Sequence, residues 1–167
     1  MIVNGEIVDS KEALEKVGMK PLELEARDGL ALINGSNVLT ALAAITLYDA
    51  KKWMKLHDIA AAMTLEALMA NMKPYDKRIH KLRGFSGSQI IANNLNILTE
   101  ESEILFSGGK KVQDAYSMRS TPQVAGTLRD SINYAVSQVE IELNGVGDNP
   151  IFLTEEKDVL TGANFQG

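Results

Sequence analysis

Val112-Gln113-Asp114-Ala115-Tyr116-Ser117-Met118-Arg119-Ser120-Thr121-Pro122-Gln123 is the stretch with the most chemistry in it. Gln113, Tyr116 and Arg119 recur at every third position. On a tight helical turn that spacing places an amide, a phenol and a guanidinium within reach of one ligand. Arg119 is suited to clasp a carboxylate through two parallel hydrogen bonds. Spacing alone favours a plainer reading, in which Arg119 is a surface charge and Tyr116 a half-buried anchor. The other informative stretch is Gly29-Leu30-Ala31-Leu32-Ile33-Asn34-Gly35-Ser36.

Other catalytic templates fail on inventory. The chain has no cysteine, which excludes disulfides, cysteine-ligated zinc, iron–sulfur clusters and a thiolate nucleophile, and fits a reducing cytosol. Its two histidines, His57 and His80, lack a His-Glu-x-x-His spacing and read as structural or solvated groups, so no metal is expected. Gly108-Gly109-Lys110-Lys111 lacks the first glycine of a phosphate loop, and no nucleotide is expected. A net charge of −5 argues against binding a nucleic-acid backbone.

The apolar run Val38–Tyr48, eleven residues long, is shorter than the roughly 18 residues of a membrane span. It reads as a core helix. Met1-Ile2-Val3-Asn4-Gly5 shows no secretory signal, and Asn34-Gly35-Ser36 is taken as a chance glycosylation match. A cytoplasmic protein without membrane contact is expected.

The elements that must carry these groups are mainly helical. Asn4-Gly5 between β-branched runs predicts a small hairpin. Asp9 and Ser10 before Lys11–Val17, with Gly18 after it, predict a two-turn helix, and Pro21 ends that piece. From Ser36 to about Asn71 apolar residues recur at three and four, with Asp49–Lys55 as a more exposed part or a break between two helices. Residues 73–88 read as a loop with about one helical turn. A third helix fits Gln89 to about Thr99, and Ser107-Gly108-Gly109 opens another loop. In the fourth, Thr121 is the N-cap and Pro122 the first helical residue, and the stripe runs to Asn144-Gly145. Asp148-Asn149-Pro150 reads as a turn, and Ile151–Leu153 with Val159–Thr161 as a second hairpin. With no repeat or linker, residues 1–167 read as one unit. Val38–Leu47 has so little polar face that its burial requires neighbours beyond those encoded here.

Four segments in order carry a specific likeness: Gly29–Ser36, Gln113–Gln123, Glu142-Leu143-Asn144 with Asp148-Asn149-Pro150, and Gly162-Ala163-Asn164-Phe165-Gln166-Gly167. Together they resemble signatures of the histidine and aromatic amino acid ammonia-lyase family over almost the whole chain. The resemblance implies a mainly α, long-helix bundle of the ammonia-lyase (fumarase/aspartase-like) fold and a homotetramer. It implies elimination of ammonia from an amino acid by an electrophilic methylidene-imidazolone (MIO) formed from an internal Ala-Ser-Gly. By resemblance, Asn34 lies near the electrophile and the substrate carboxylate, and Arg119 binds that carboxylate. Gln113 and Tyr116 line the same pocket, with Tyr116 close to the reacting amine, and Phe165 sits beside the prosthetic ring.

The chain departs from the family in one central respect, since no Ala-Ser-Gly occurs in it: Phe85 and Phe106 precede its Ser-Gly pairs at Ser86-Gly87 and Ser107-Gly108. The segment Phe85-Ser86-Gly87-Ser88-Gln89 also departs from the His-Pro-Gly-Gln usual there. The family's electrophile-forming segment and its tyrosine base lie upstream of Gly29, and a C-terminal helical part lies downstream. The expectation is therefore the central portion of an ammonia-lyase, a split-gene subunit or a truncated piece, inactive alone and completed by a partner chain carrying Ala-Ser-Gly. L-Histidine ranks narrowly ahead of phenylalanine and tyrosine as substrate. The alternatives are an aromatic amino acid aminomutase and a non-catalytic helical assembly module or relic.

Overall fold

A computed structural model describes residues 1–109, 111–147 and 149–162. These group into two compact units, Met1–Ser36 and the residues from Asn37 onward, a division where the sequence shows no linker. In the first unit Asn4 (φ 52°) and Gly5 (φ 86°) form the two-residue turn between strands β1 (Ile2–Val3) and β2 (Glu6–Ile7). Both central residues have the positive φ that such a hairpin turn requires. Helix α1 (Ser10–Lys16) is capped by Asp9, whose carboxylate accepts from the Lys11 amide at 2.8 Å. Helix α2 (Asp28–Ile33) ends at Asn34, whose amide donates to the Leu30 carbonyl at 2.9 Å.

The second unit is built on α3 (Asn37–Ala67), 31 residues without a break through Asp49–Lys55. Lysines and alanine suit a helix interior, and Lys52 lies over the Tyr48 ring one turn back, at 4.5 Å. Helix α3 ends where Met69 turns left-handed (φ 51°) and the Ala70 amide closes onto the Leu65 carbonyl at 2.9 Å. A 3-10 turn at Lys73–Tyr75 follows. Residues 73–88 hold more helix than the sequence reading gave them: α4 (Lys77–Arg83) and the first turn of α5 (Ser86–Leu98). Asp76 and Gly84, which read as loop residues, are instead the two caps of α4. The Asp76 carboxylate accepts from the Arg78 amide at 2.8 Å, and Gly84 closes the other end at φ 90°. The Arg78 side chain hydrogen-bonded to Asp76 holds that carboxyl down at about 2.

After the short α6 (Glu103–Phe106) and the one-turn α7 (Tyr116–Arg119) comes α8 (Thr121–Asn144). Its cap lies one residue earlier than expected, at Ser120, so Thr121 is the first helical residue. Strands β3 (Ile151–Leu153) and β4 (Asp158–Leu160) pair antiparallel; the first strand of this hairpin is as read, and the second lies one residue earlier than read.

Helices α3, α5 and α8 pack together around Met54, Leu65, Tyr75, Ile91, Leu95 and Ala125. Gly87 of α5 and Gly126 of α8 set how close two of them come. A Cβ on Gly87 would lie 2.0 Å from the Gly126 carbonyl oxygen, and one on Gly126 2.4 Å from the Ser88 nitrogen. Asp58 ties all three helices: from α3, its buried carboxylate accepts from Asn94 of α5 at 2.6 Å and from Arg129 of α8 at 3.0 Å.

The N-terminal half of α3 lies outside this core, with Val38, Leu39, Leu42 and Ile45 all more than half exposed. Contrary to the span estimate made on Val38–Tyr48 alone, the stretch Asp28–Ala67 is long and apolar enough to cross a membrane, by length and composition only. Its most apolar 18-residue window has a mean hydropathy of 1.7. The difference arises because residues 29–37, ahead of the eleven-residue run, carry no charge and lengthen the apolar stretch. A helix built for a protein core passes the same test.

Candidate functional site

The Gln113–Arg119 segment is held from one side by the chain that leaves α3. The Asn71 amide donates to Asp114 Oδ2 at 2.5 Å, and Asn71 Nδ2 donates to the Lys111 and Val112 carbonyls at 3.0 and 3.1 Å. Asn71 Oδ1 accepts from the Lys73 amide at 3.0 Å, so every polar group of this side chain is used. Four residues on, Tyr75 is fully buried and donates from its hydroxyl to the Met118 carbonyl. Asn96 of α5 fixes Tyr75 in turn, donating to its carbonyl at 2.7 Å. Burial raises the Tyr75 phenol above its ordinary value, against the opposing hydrogen bond with Thr121.

Between these two segments opens a cleft of about 270 Å³. Asn71, Lys73, Pro74 and Ile79 line it from the 71–79 segment, and Val112, Gln113 and Arg119 from the other. The sequence reading placed Gln113, Tyr116 and Arg119 on one helical turn. In the structure only Tyr116 and Arg119 are on α7, and Gln113 precedes it in irregular chain. Gln113 and Arg119 nonetheless share the cleft, and Tyr116 joins them through Arg119, whose guanidinium carbon lies 3.9 Å from the centre of the Tyr116 ring.

The plainer reading of those two residues is reversed. Tyr116 is 72% exposed. Arg119 is half-buried, and its Nε is shut away from solvent with no hydrogen-bond partner among the described residues. A buried donor left unpaired costs free energy, and a cation over an aromatic face at the wall of a cleft is ready for an anion. Asn34 stands exposed at the end of α2 in the first unit, and Phe165 lies outside the described residues.

The histidines sit in structural contacts. His80 is buried with Nε2 2.9 Å from the Pro74 carbonyl oxygen, and His57 Nδ1 is 3.4 Å from Asp58 Oδ1. Among the described residues no cluster of three or more His, Asp or Glu could hold a metal ion. The 167 residues contain no Ala-Ser-Gly. The sequence reading missed Asn71 and Tyr75. Their one signal was polar character on the two sides of Pro74, in a stretch that otherwise reads as loop.

The fold places this chain among mainly helical amino acid lyases and aminomutases. It superposes on phenylalanine aminomutase from Pantoea agglomerans with a TM-score of 0.87 and 26% identity, over 97% of this chain and 35% of that one. On histidine ammonia-lyase from Trypanosoma cruzi the TM-score is 0.84 with 35% identity, over 98% of this chain and 30% of that one. The chain belongs to the aromatic amino acid lyase family, whose profile matches residues 1–167. It is 47% identical over 164 residues to the histidine ammonia-lyase of Clostridium tetani, a match covering 98% of this chain and 32% of the relative. The chain thus spans about a third of the length of the curated relatives it matches.

Proposed function

We propose that this chain is the central part of a cytoplasmic ammonia-lyase that eliminates ammonia from L-histidine to give urocanate, and that it supplies the carboxylate grip of the pocket. The observation that carries this reading is Arg119: a half-buried guanidinium whose Nε has no hydrogen-bond partner among the described residues, stacked on Tyr116 at the wall of a cleft it shares with Gln113. Family membership and the histidine ammonia-lyase relatives support the reaction class and the substrate.

In this reading Arg119 holds the substrate carboxylate, Gln113 donates or accepts beside it, and Tyr116 orients the guanidinium and faces the reacting amine. The family likeness adds Asn34 as a second group for the carboxylate and Phe165 as a neighbour of the prosthetic ring. The electrophile comes from an Ala-Ser-Gly outside these residues, on a complementary chain in a tetrameric assembly, and supplies the activation of the amino acid. This chain's own part is to bind and orient, which converts weak encounters into a fixed geometry.

Two measurements test this. Urocanate absorbance should stay flat with the chain alone and rise once a partner bearing Ala-Ser-Gly is added; turnover by the isolated chain would count against the reading. In the assembled enzyme Arg119→Ala should cost about 1.5–3 kcal/mol of substrate binding, and an unchanged KM and kcat would remove the carboxylate role. A second reading, an aromatic amino acid aminomutase, is favoured by the likeness to the Pantoea agglomerans enzyme. Product analysis separates them, since a mutase returns a β-amino acid and the lyase releases ammonia.

A further inference from the structure

We propose that Asn71 and Tyr75 are positioning residues for the substrate grip, holding the segment from Lys111 to Arg119 so that Gln113 and Arg119 face one cleft. The proposal rests on the reading of Arg119 as the carboxylate-binding group.

Helix α7 is a single turn of four residues. A turn that short does not hold itself, because fixing its dihedrals costs more than its few hydrogen bonds return. Its internal bonds are Met118 and Arg119 amides to the Ala115 carbonyl and the Ser120 amide to Tyr116. Something outside must fix it, and the structure supplies two anchors. At its C-terminal end the Met118 carbonyl, adjacent to Arg119, accepts from both the Tyr75 hydroxyl and Thr121 Oγ1. On its N-terminal side Asn71 brackets Gln113: Nδ2 takes the Lys111 and Val112 carbonyls, and the backbone amide takes the Asp114 carboxylate.

Both anchors reach across more than forty residues of sequence, and both are themselves fixed. Asn71 is 8% exposed and Tyr75 0%. Asn71 lines the cleft with Arg119, yet its side-chain amide is fully engaged by the Lys111 and Val112 carbonyls and the Lys73 amide, and Tyr75 is buried in the core, so their effect passes through the segment they hold. Beyond its hydrogen bonds with the Met118 carbonyl and Thr121, the Tyr75 side chain fills the core, a part phenylalanine can take, which makes its hydroxyl separable from its packing.

The kinetic test uses the assembled enzyme, this chain with its partner bearing Ala-Ser-Gly, and the variants Tyr75→Phe, Asn71→Asp and Arg119→Ala. Asn71→Asp keeps the side-chain volume and sets a carboxylate oxygen against two carbonyls. Expected for Tyr75→Phe is a rise in KM of about threefold to tenfold, the worth of one hydrogen bond, with kcat changed by less. A merely structural role would lower the amount of folded enzyme, reducing kcat at constant KM. In the Arg119→Ala background Tyr75→Phe should add nothing further to KM.

A KM moved by Arg119→Ala and untouched by both Tyr75→Phe and Asn71→Asp overturns the proposal and leaves the carboxylate reading standing. A KM untouched by Arg119→Ala overturns the carboxylate reading and the proposal with it. A second measurement needs no turnover: hydrogen–deuterium exchange on the 167-residue chain. Asn71→Asp and Tyr75→Phe should speed exchange in residues 111–119 and leave the middle of α8 protected. Unchanged exchange in 111–119 overturns the proposal independently of any catalytic result.

Discussion

Tyr75 shows how much one buried side chain does here, and its hydroxyl gives a pH dependence. Burial raises its phenol pKa in the folded state. The native chain therefore holds this proton more tightly than the unfolded chain. Stability from Tyr75 is complete below the ordinary phenol value of about 10 and is lost as pH rises through the higher folded value. Urea midpoints followed from about pH 8 to pH 11 should fall at the alkaline end. The Tyr75→Phe chain should start lower and fall less, and parallel curves for the two chains would refute this account. Arg119 belongs to the same scale. Its burial relative to Tyr116 could not be read from a three-residue spacing, because the cleft it lines is shared with Asn71, Lys73, Pro74 and Ile79, forty or more positions earlier in the chain.

Among the elements, α3, α5 and α8 are joined by two devices that respond differently to mutation. The Gly87–Gly126 contact is steric: an added methyl would sit 2.4 Å from the Ser88 nitrogen, and backbone cannot step aside as a side chain can. Gly126→Ala should therefore lower stability by about 1–3 kcal/mol. A urea midpoint within error of the parent would show that the helices can part at no cost.

The Asp58 junction is electrostatic. Asp58→Ala strands Arg129, whose side chain is 19% exposed, so a loss of about 3 kcal/mol is expected, the lower end for a broken buried pair. The Asp58→Ala, Arg129→Met double change should recover part of it. A single-mutant loss below about 1 kcal/mol would place the pair in the class of surface ion pairs. Both devices escaped the sequence reading, which put Gly87 in the 73–88 loop and singled out neither Gly126 nor Asp58.

At the scale of the whole molecule, the N-terminal half of α3 presents Val38, Leu39, Leu42 and Ile45 to solvent. A contiguous apolar face of this kind drives association, in keeping with a chain that spans about a third of its relatives' length. In sedimentation velocity the chain alone should self-associate as its concentration rises. Leu42→Lys with Ile45→Lys should shift it toward monomer. A parent chain that stays monomeric throughout would mean that this face is tolerated in water.

What the amino-acid sequence by itself determined was local or collective. Asn4-Gly5 specified its hairpin because few residue pairs accept two positive φ angles. Thr121-Pro122 and the apolar stripe behind them specified α8 to within a residue, and four motifs in order specified the family. Tertiary structure decided the rest. Gly84 and Asp76 read as loop residues, yet they cap α4, since a cap and a turn use the same residue types and only the packing of the helix between them tells which is meant. The cleft came from the same source. Gln113 and Arg119 converge because Asn71 and Tyr75, distant in sequence, hydrogen-bond the backbone around them. Backbone preference is written in neighbouring residues, whereas the burial of a guanidinium and the partner of an amide depend on which distant segments fold against them.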